Sequence, residues 1–194
     1  PTDVRELWND PLLRYSNILD GIFHEGVVIC ESDADCRFYQ AVLDATAGGS
    51  SAPYPDIMFT HCGGKARIPT VANSLRQLGV PVAAIVDIDV LNGEKPLRSI
   101  VEALGGTWPE FQSDFEVVKK AVDTSRPSLK LGEMKEKIVA EAESINDLDT
   151  AQKARKKINE VMRYASPWSK LKARGGHGVP AGYAHKAFQR LTCE

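Results

Sequence analysis

Two short apolar runs that each end in acid constrain this chain most. One is Val82-Ala83-Ala84-Ile85-Val86-Asp87-Ile88-Asp89, and the other is Val27-Val28-Ile29-Cys30-Glu31-Ser32-Asp33-Ala34-Asp35. An unbroken apolar run of this length, flanked by Gly and Pro, reads as a strand buried on both faces. Such strands lie in the middle of parallel sheets, and parallel α/β sheets place their ligand sites at the carboxyl ends of the strands. The acids stand there: Glu31 and Asp35 after the first run, Asp87 and Asp89 after the second. Asp87 and Asp89, two apart on an extended chain, are expected to point to the same side. Carboxylates gathered at one sheet edge repel one another unless a cation sits among them, and hard oxygen donors suit Mg²⁺ or Mn²⁺.

The rest of the amino-terminal half supports that frame. Leu12, Leu13, Tyr15, Ile18 and Ile22 have helical spacing, so Pro11–Phe23 is expected to form a leading helix. Ser32 with Asp35 three residues on can cap the helix after the first strand, with Cys36, Tyr39, Val42 and Leu43 facing inward. A second strand is expected at Asp56–Thr60. Gly63-Gly64-Lys65 then leads into a helix begun at Pro69, with Ile68, Val71, Ala72, Leu75 and Leu78 inward. A Gly-rich turn can offer backbone N–H groups to phosphate, and Lys65 can add a charge; a plain strand-to-helix turn explains the same residues. The spacing is not that of a Walker A loop. Strand three is expected at Val82–Val86. Glu94, leaving the Asn92-Gly93 turn, either returns a fifth carboxylate to the site or faces solvent. The strand–helix alternation predicts an α/β fold with a parallel sheet flanked by helices.

These stretches resemble a known family. Glu31 with Asp35, then Gly-Gly-Lys, then Asp-x-Asp at a strand end is similar to the Toprim domain, the metal-binding module of primases, topoisomerases and several nucleases. Val28–Tyr39, His61-Cys62-Gly63-Gly64-Lys65 and Ile85–Asn92 resemble more closely the carboxyl-terminal region of the overcoming-lysogenization-defect (OLD) nucleases. The resemblance covers Gly26–Gly106 well and the remainder weakly. It departs at Ser32, where many relatives carry Gly. It implies a Toprim-like fold and metal-dependent cleavage of DNA with two divalent ions (Mg²⁺ or Mn²⁺). The metal residues would be Glu31, Asp35, Asp87, Asp89 and Glu94. Glu31 has a second role open to it, as general acid/base. The resemblance further implies an ATPase domain preceding this region in a longer protein, and a lysine from the carboxyl-terminal end joining the site. Lys172 is the candidate for that lysine, with Lys170, Arg174 and Lys186 as rivals. A non-catalytic DNA-binding or dimerisation module and a primase- or topoisomerase-like Toprim are the alternatives.

From Thr107 the pattern becomes helical throughout. Trp108, Phe111, Phe115, Val118 and Val122 recur three and four apart. Further helices are expected at Leu129–Ala142 and Thr150–Ala165, the last capped by Asp149-Thr150. Ser166–Pro180, rich in Gly and cations, is expected to be a loop that contacts phosphate, with Lys170 and Arg174 as DNA-binding candidates beside Gly63, Gly64 and Lys65 of the earlier turn. His177 either faces DNA or is a polar loop residue, and His185 is expected to be structural or exposed. The segments expected are a leading helix (1–25), a Toprim domain (26–106), a helical subdomain (107–166), and a basic Gly-rich loop with a final helix (167–194).

Charge divides along these lines. The chain of 194 residues has a net charge of −2. Residues 1–150 hold 14 Lys and Arg against 24 Asp and Glu, whereas 151–194 hold 10 against 2. The basic end suits an anionic partner such as DNA. Cys30, Cys36, Cys62 and Cys193 lack zinc spacing, and buried free thiols in a reducing cytoplasm are expected. No stretch approaches the roughly 18 apolar residues of a membrane span.

Overall fold

In the computed structural model the described residues are 17–47, 53–125, 130–145 and 151–193. The chain forms two compact units, 1–110 and 111–194.

The first unit is built on three parallel strands, β1 (Gly26–Cys30), β2 (Ile57–His61) and β3 (Val82–Ile85), in the order β2-β1-β3. Val27 is level with Met58 and Val82, and Ile29 with Thr60 and Ala84. Because side chains alternate along a strand, these six share one face. Val27, Ile29, Met58 and Thr60 on that face are buried. A Cβ added at Gly21, in the 3-10 helix Asn17–Phe23, would come within 2.5 Å of Val27 Cγ2 and 3.4 Å of Leu75 Cδ2. The 3-10 helix and helix α2 (Ile68–Gln77) therefore cover this face. Ile29 is 0% exposed, which is worth roughly 1.5–3 kcal/mol relative to an exposed side chain. Of the leading helix expected at Pro11–Phe23, the part before residue 17 lies outside the described residues, and Ile22 is exposed.

Helix α1 (Asp33–Ala47) follows β1, and its Cys36 is buried beside Cys30. Tyr39 and Leu43 are half-buried, but Val42, expected inward, is exposed. Helix α2 starts with Ile68 and Pro69 and buries Ile68, Val71, Ala72 and Leu75 as its spacing requires. Helix α3 (Glu94–Ala103) begins two residues before the expected Pro96. Arg76 Nη1 donates to the carbonyl of Ala103 at 3.0 Å, tying α2 to the end of α3.

Strand β3 differs from expectation. Its apolar run predicts burial on both faces in mid-sheet, yet it is an edge strand among the described residues. Val82, Ala84 and Ile85 are half-buried and Ala83 is exposed. An apolar run specifies a strand but not its rank in the sheet, and β1 took the middle.

Helix α4 (Trp108–Asp123) buries Trp108, Phe115, Val118 and Val122 along one stripe. The second unit continues with α5 (Leu131–Glu143), α6 (Ala151–Ala165), α7 (Pro167–Arg174), the 3-10 helix Gly175–Gly178, and α8 (Tyr183–Cys193). The expected cap Asp149-Thr150 lies outside the described residues. Arg190 donates from Nε to Asp114 Oδ2 at 2.7 Å and from Nη2 to Asp114 Oδ1, a two-point pair joining α8 to α4. The Trp168 indole N–H donates to Asp123 Oδ1 at 2.7 Å, joining α7 to the end of α4.

The loop expected across Ser166–Pro180 is corrected by α7. Ser166 is its N-cap, with Oγ accepting from the Trp168 N–H at 3.3 Å, and Pro167 fills the first helical position. Trp168 and Leu171 are buried. Capping and burial together outweigh the flexibility suggested by the glycines, which begin only at Gly175.

Candidate metal centre

The site is assembled from the carboxyl ends of β1 and β3, adjacent in the sheet. Glu31 directly follows β1. Beyond β3 the chain stays extended to Asp87 (φ −62°, ψ 145°) and then turns into a 3-10 helix, Ile88–Asn92, with Asp89 in its first turn. One carboxylate oxygen from each of Glu31, Asp87 and Asp89 lies within 4.8 Å of the others. Asp87 and Asp89 converge, as expected, but through this tight turn and not through an extended chain.

Glu31 Oε1 accepts the backbone N–H of Asp87 at 2.9 Å. The bond fixes the two strand ends against each other and orients the Glu31 carboxylate. Lys65 Nζ lies 2.5 Å from Asp89 Oδ1, with both side chains about one-third exposed (33% and 29%). A cation therefore already faces the acidic cluster from the turn after β2. That turn needs its glycines: Gly63 has φ 74° and Gly64 φ 120°, and a Cβ at either would meet nothing within 4 Å. The requirement is backbone conformation; Gly63 is exposed and Gly64 half-buried. Nothing in the spacing of Lys65 and Asp89, 24 residues apart, reveals their pairing.

Asp35 and Glu94 are not part of the three-acid group. Asp35 Oδ2 accepts from Ser32 N at 3.0 Å and Ser32 Oγ at 2.7 Å, while Ser32 Oγ accepts from the Asp35 N–H at 3.3 Å. This reciprocal cap begins α1. Glu94 is exposed in the first turn of α3, where a helix favours negative charge.

The donor set fits a divalent cation: three carboxylates close enough to share one ion, all hard oxygen donors. The neighbouring thiols do not contribute. Cys30, Cys36 and Cys62 are free and buried. Burial, with Cys36 beside it, pushes the Cys30 thiol up to about 12, and burial raises Cys36 and Cys62 as well. Such thiols stay protonated and unreactive.

The cationic candidates of the carboxyl-terminal end belong to the second unit. Lys172 and Arg174 are exposed in the last turns of α7, Lys170 is on the same helix, and Lys186 is exposed on α8. On α6, Lys153, Arg155 and Lys156 are exposed, and Lys157 Nζ donates to Ser144 Oγ at 3.2 Å.

No described helix is long and apolar enough to cross a membrane. No curated protein and no solved structure gives a significant match to the chain. Residues 22–89 match the family model described as "Overcoming lysogenization defect protein-like, TOPRIM domain". That span runs from the end of the first 3-10 helix through β1, β2 and β3 and stops at Asp89, the last acid of the cluster. The sheet and the three acids thus lie within the span that is similar to the OLD-like TOPRIM domain.

Proposed function

We propose that this chain is the nuclease part of a divalent-metal-dependent DNA endonuclease. The observation that carries the proposal is the convergence of Glu31, Asp87 and Asp89 at the carboxyl edge of an OLD-like Toprim sheet. When bound, two Mg²⁺ or Mn²⁺ ions would supply Lewis-acid stabilisation of the scissile phosphate and lower the pKa of an attacking water.

The protein's own residues divide the remaining work. Glu31, Asp87 and Asp89 would hold the ions, and Glu31 would also accept or return a proton. Asp35 and Glu94, outside the three-acid group, would support a second ion through water. With a metal on Asp89, Lys65 would be released to meet a phosphate oxygen beside the Gly63-Gly64 turn. Lys172 offsets charge growing on the phosphate in the transition state, and Lys170 and Arg174 hold the DNA backbone. The helical second unit, with its basic α6, extends that backbone grip. An ATPase domain amino-terminal to this region would couple cleavage to nucleotide, and the cytoplasm is the proposed location.

The test is incubation of supercoiled plasmid with the chain in Mg²⁺, Mn²⁺ or EDTA, without ATP. Nicked or linear product in either metal and none in EDTA is expected. Intact plasmid in both metals, at low and moderate salt, would favour a non-catalytic DNA-binding module.

A further inference from the structure

The second unit carries a cleft remote in sequence from the acids. Its volume is about 410 Å³, and it is lined by His177, Val179, Ala181, Gly182, His185, Lys186 and Gln189. Four of these, His177, His185, Lys186 and Gln189, end in N–H donors, and none is acidic. In a chain with slightly more acidic than basic residues, a cleft lined by a lysine, three further N–H donors and no carboxylate suits an anion.

The cleft is held by packing. A Cβ at Gly176 would fall 2.6 Å from Phe188 Cε1, and one at Gly178 would fall 3.0 Å from the Leu171 Cα. The Gly-rich 3-10 turn is thus pressed against both α7 and α8 at the residues flanking His177. Leu171 and Val179 are buried, whereas His177 is exposed. The turn is anchored on either side of its one imidazole. On the opposite wall the His185 ring lies 6.4 Å from the Phe188 ring, centroid to centroid, which limits its freedom. Lys186 and Gln189 follow one and four residues later on α8.

We infer that this cleft binds a phosphate group, with His177, His185, Lys186 and Gln189 as its donors. A tetrahedral oxyanion presents several acceptors in different directions, which matches donors arriving from two elements. The cleft has room for the substituent a phosphate carries. The phosphate is supplied either by a nucleic-acid backbone or as a free phosphate. The inference does not rest on the metal centre.

The chain has four histidines, His24, His61, His177 and His185, so imidazole NMR resonances report on the cleft directly. Sodium phosphate is titrated into the full chain at constant ionic strength in EDTA. A parallel titration uses a short DNA duplex. His177→Gln and His185→Gln assign the signals. The expected result is that His177 and His185 shift together along one saturating curve while His24 does not. Lys186→Ala should weaken that curve by about tenfold, the scale of a lost charged hydrogen bond, with the Trp168 indole N–H resonance unchanged as evidence that the second unit is folded. A response to both ligands identifies a backbone phosphate, and a response to inorganic phosphate alone identifies a free phosphate. No saturable shift with either ligand, or an unchanged affinity in Lys186→Ala, overturns the inference. His61, at the end of β2 beside the Gly63-Gly64 turn, reports separately on phosphate near the metal centre, so the two proposals fail independently.

Discussion

The Glu31 carboxylate accepts the backbone N–H of Asp87 at 2.9 Å, so one acid of the cluster also fixes the position of another. This separates two variants. Glu31→Gln retains an acceptor oxygen and should hold the strand ends together, with stability within about 1 kcal/mol of wild type, but it removes a ligand charge and should abolish cleavage. Glu31→Ala loses both and should melt earlier. Thermal unfolding in EDTA beside plasmid cleavage checks this, and wild-type cleavage by Glu31→Gln would remove Glu31 from the site.

Asp35 can be dissected in the same way. Its Oδ2 caps α1 through Ser32. Asp35→Ala should cost about 1 kcal/mol of stability, whereas Asp35→Asn keeps an acceptor for Ser32 and should cost less. Both should weaken Mg²⁺ binding less than Asp87→Ala does, as expected of a ligand acting through water. Calorimetric titration that finds Asp35→Asn as damaging as Asp87→Ala would put Asp35 directly on an ion.

Lys65 and a metal compete for Asp89. Lys65→Met should therefore bind Mn²⁺ more tightly, by about fivefold or less, since a charge pair about one-third exposed is worth about 1 kcal/mol after solvent screening. The same variant should cleave more slowly, because it lacks the cation proposed to meet the phosphate. Weaker Mn²⁺ binding in Lys65→Met would mean the lysine supports the acids and does not compete for them.

The Cys30 thiol predicts behaviour in alkali. Burial raises it from 9.0 to about 12 in the folded chain. The unfolded chain therefore loses this proton first, at about pH 9. The stabilising contribution is complete below that pH and is lost as pH rises toward 12. Denaturant unfolding between pH 8 and 11 should show stability falling, with a shallower slope in Cys30→Ala. Peptide mapping after alkylation at pH 8 should find Cys30, Cys36 and Cys62 unmodified until the chain is unfolded. Rapid labelling of native Cys30 would contradict its burial.

How much of this was legible in the sequence differs by element. β1, β2 and the buried stripe of α2 followed from apolar period and Gly/Pro punctuation, because burial writes itself into spacing. The Ser32–Asp35 cap was readable from its three-residue interval. The rank of β3 was not, because neighbours in a sheet leave no mark on a strand's own residues. Helix α7 is obscured in the sequence by the glycines that follow it, although Ser166-Pro167 before Trp168 is a cap signal in its own right. The Glu31–Asp87 bond and the Lys65–Asp89 pair join residues 56 and 24 positions apart, and only the parallel register of β1 with its neighbours brings them together.

The central claim is that Glu31, Asp87 and Asp89 together hold a divalent ion. Anomalous diffraction from crystals of the chain soaked in Mn²⁺ tests it most directly. The account predicts an anomalous peak in contact with carboxylate oxygens of all three residues, with Lys65 turned away from Asp89. Full Mn²⁺ occupancy elsewhere on the chain, with no peak among these three acids, would contradict it.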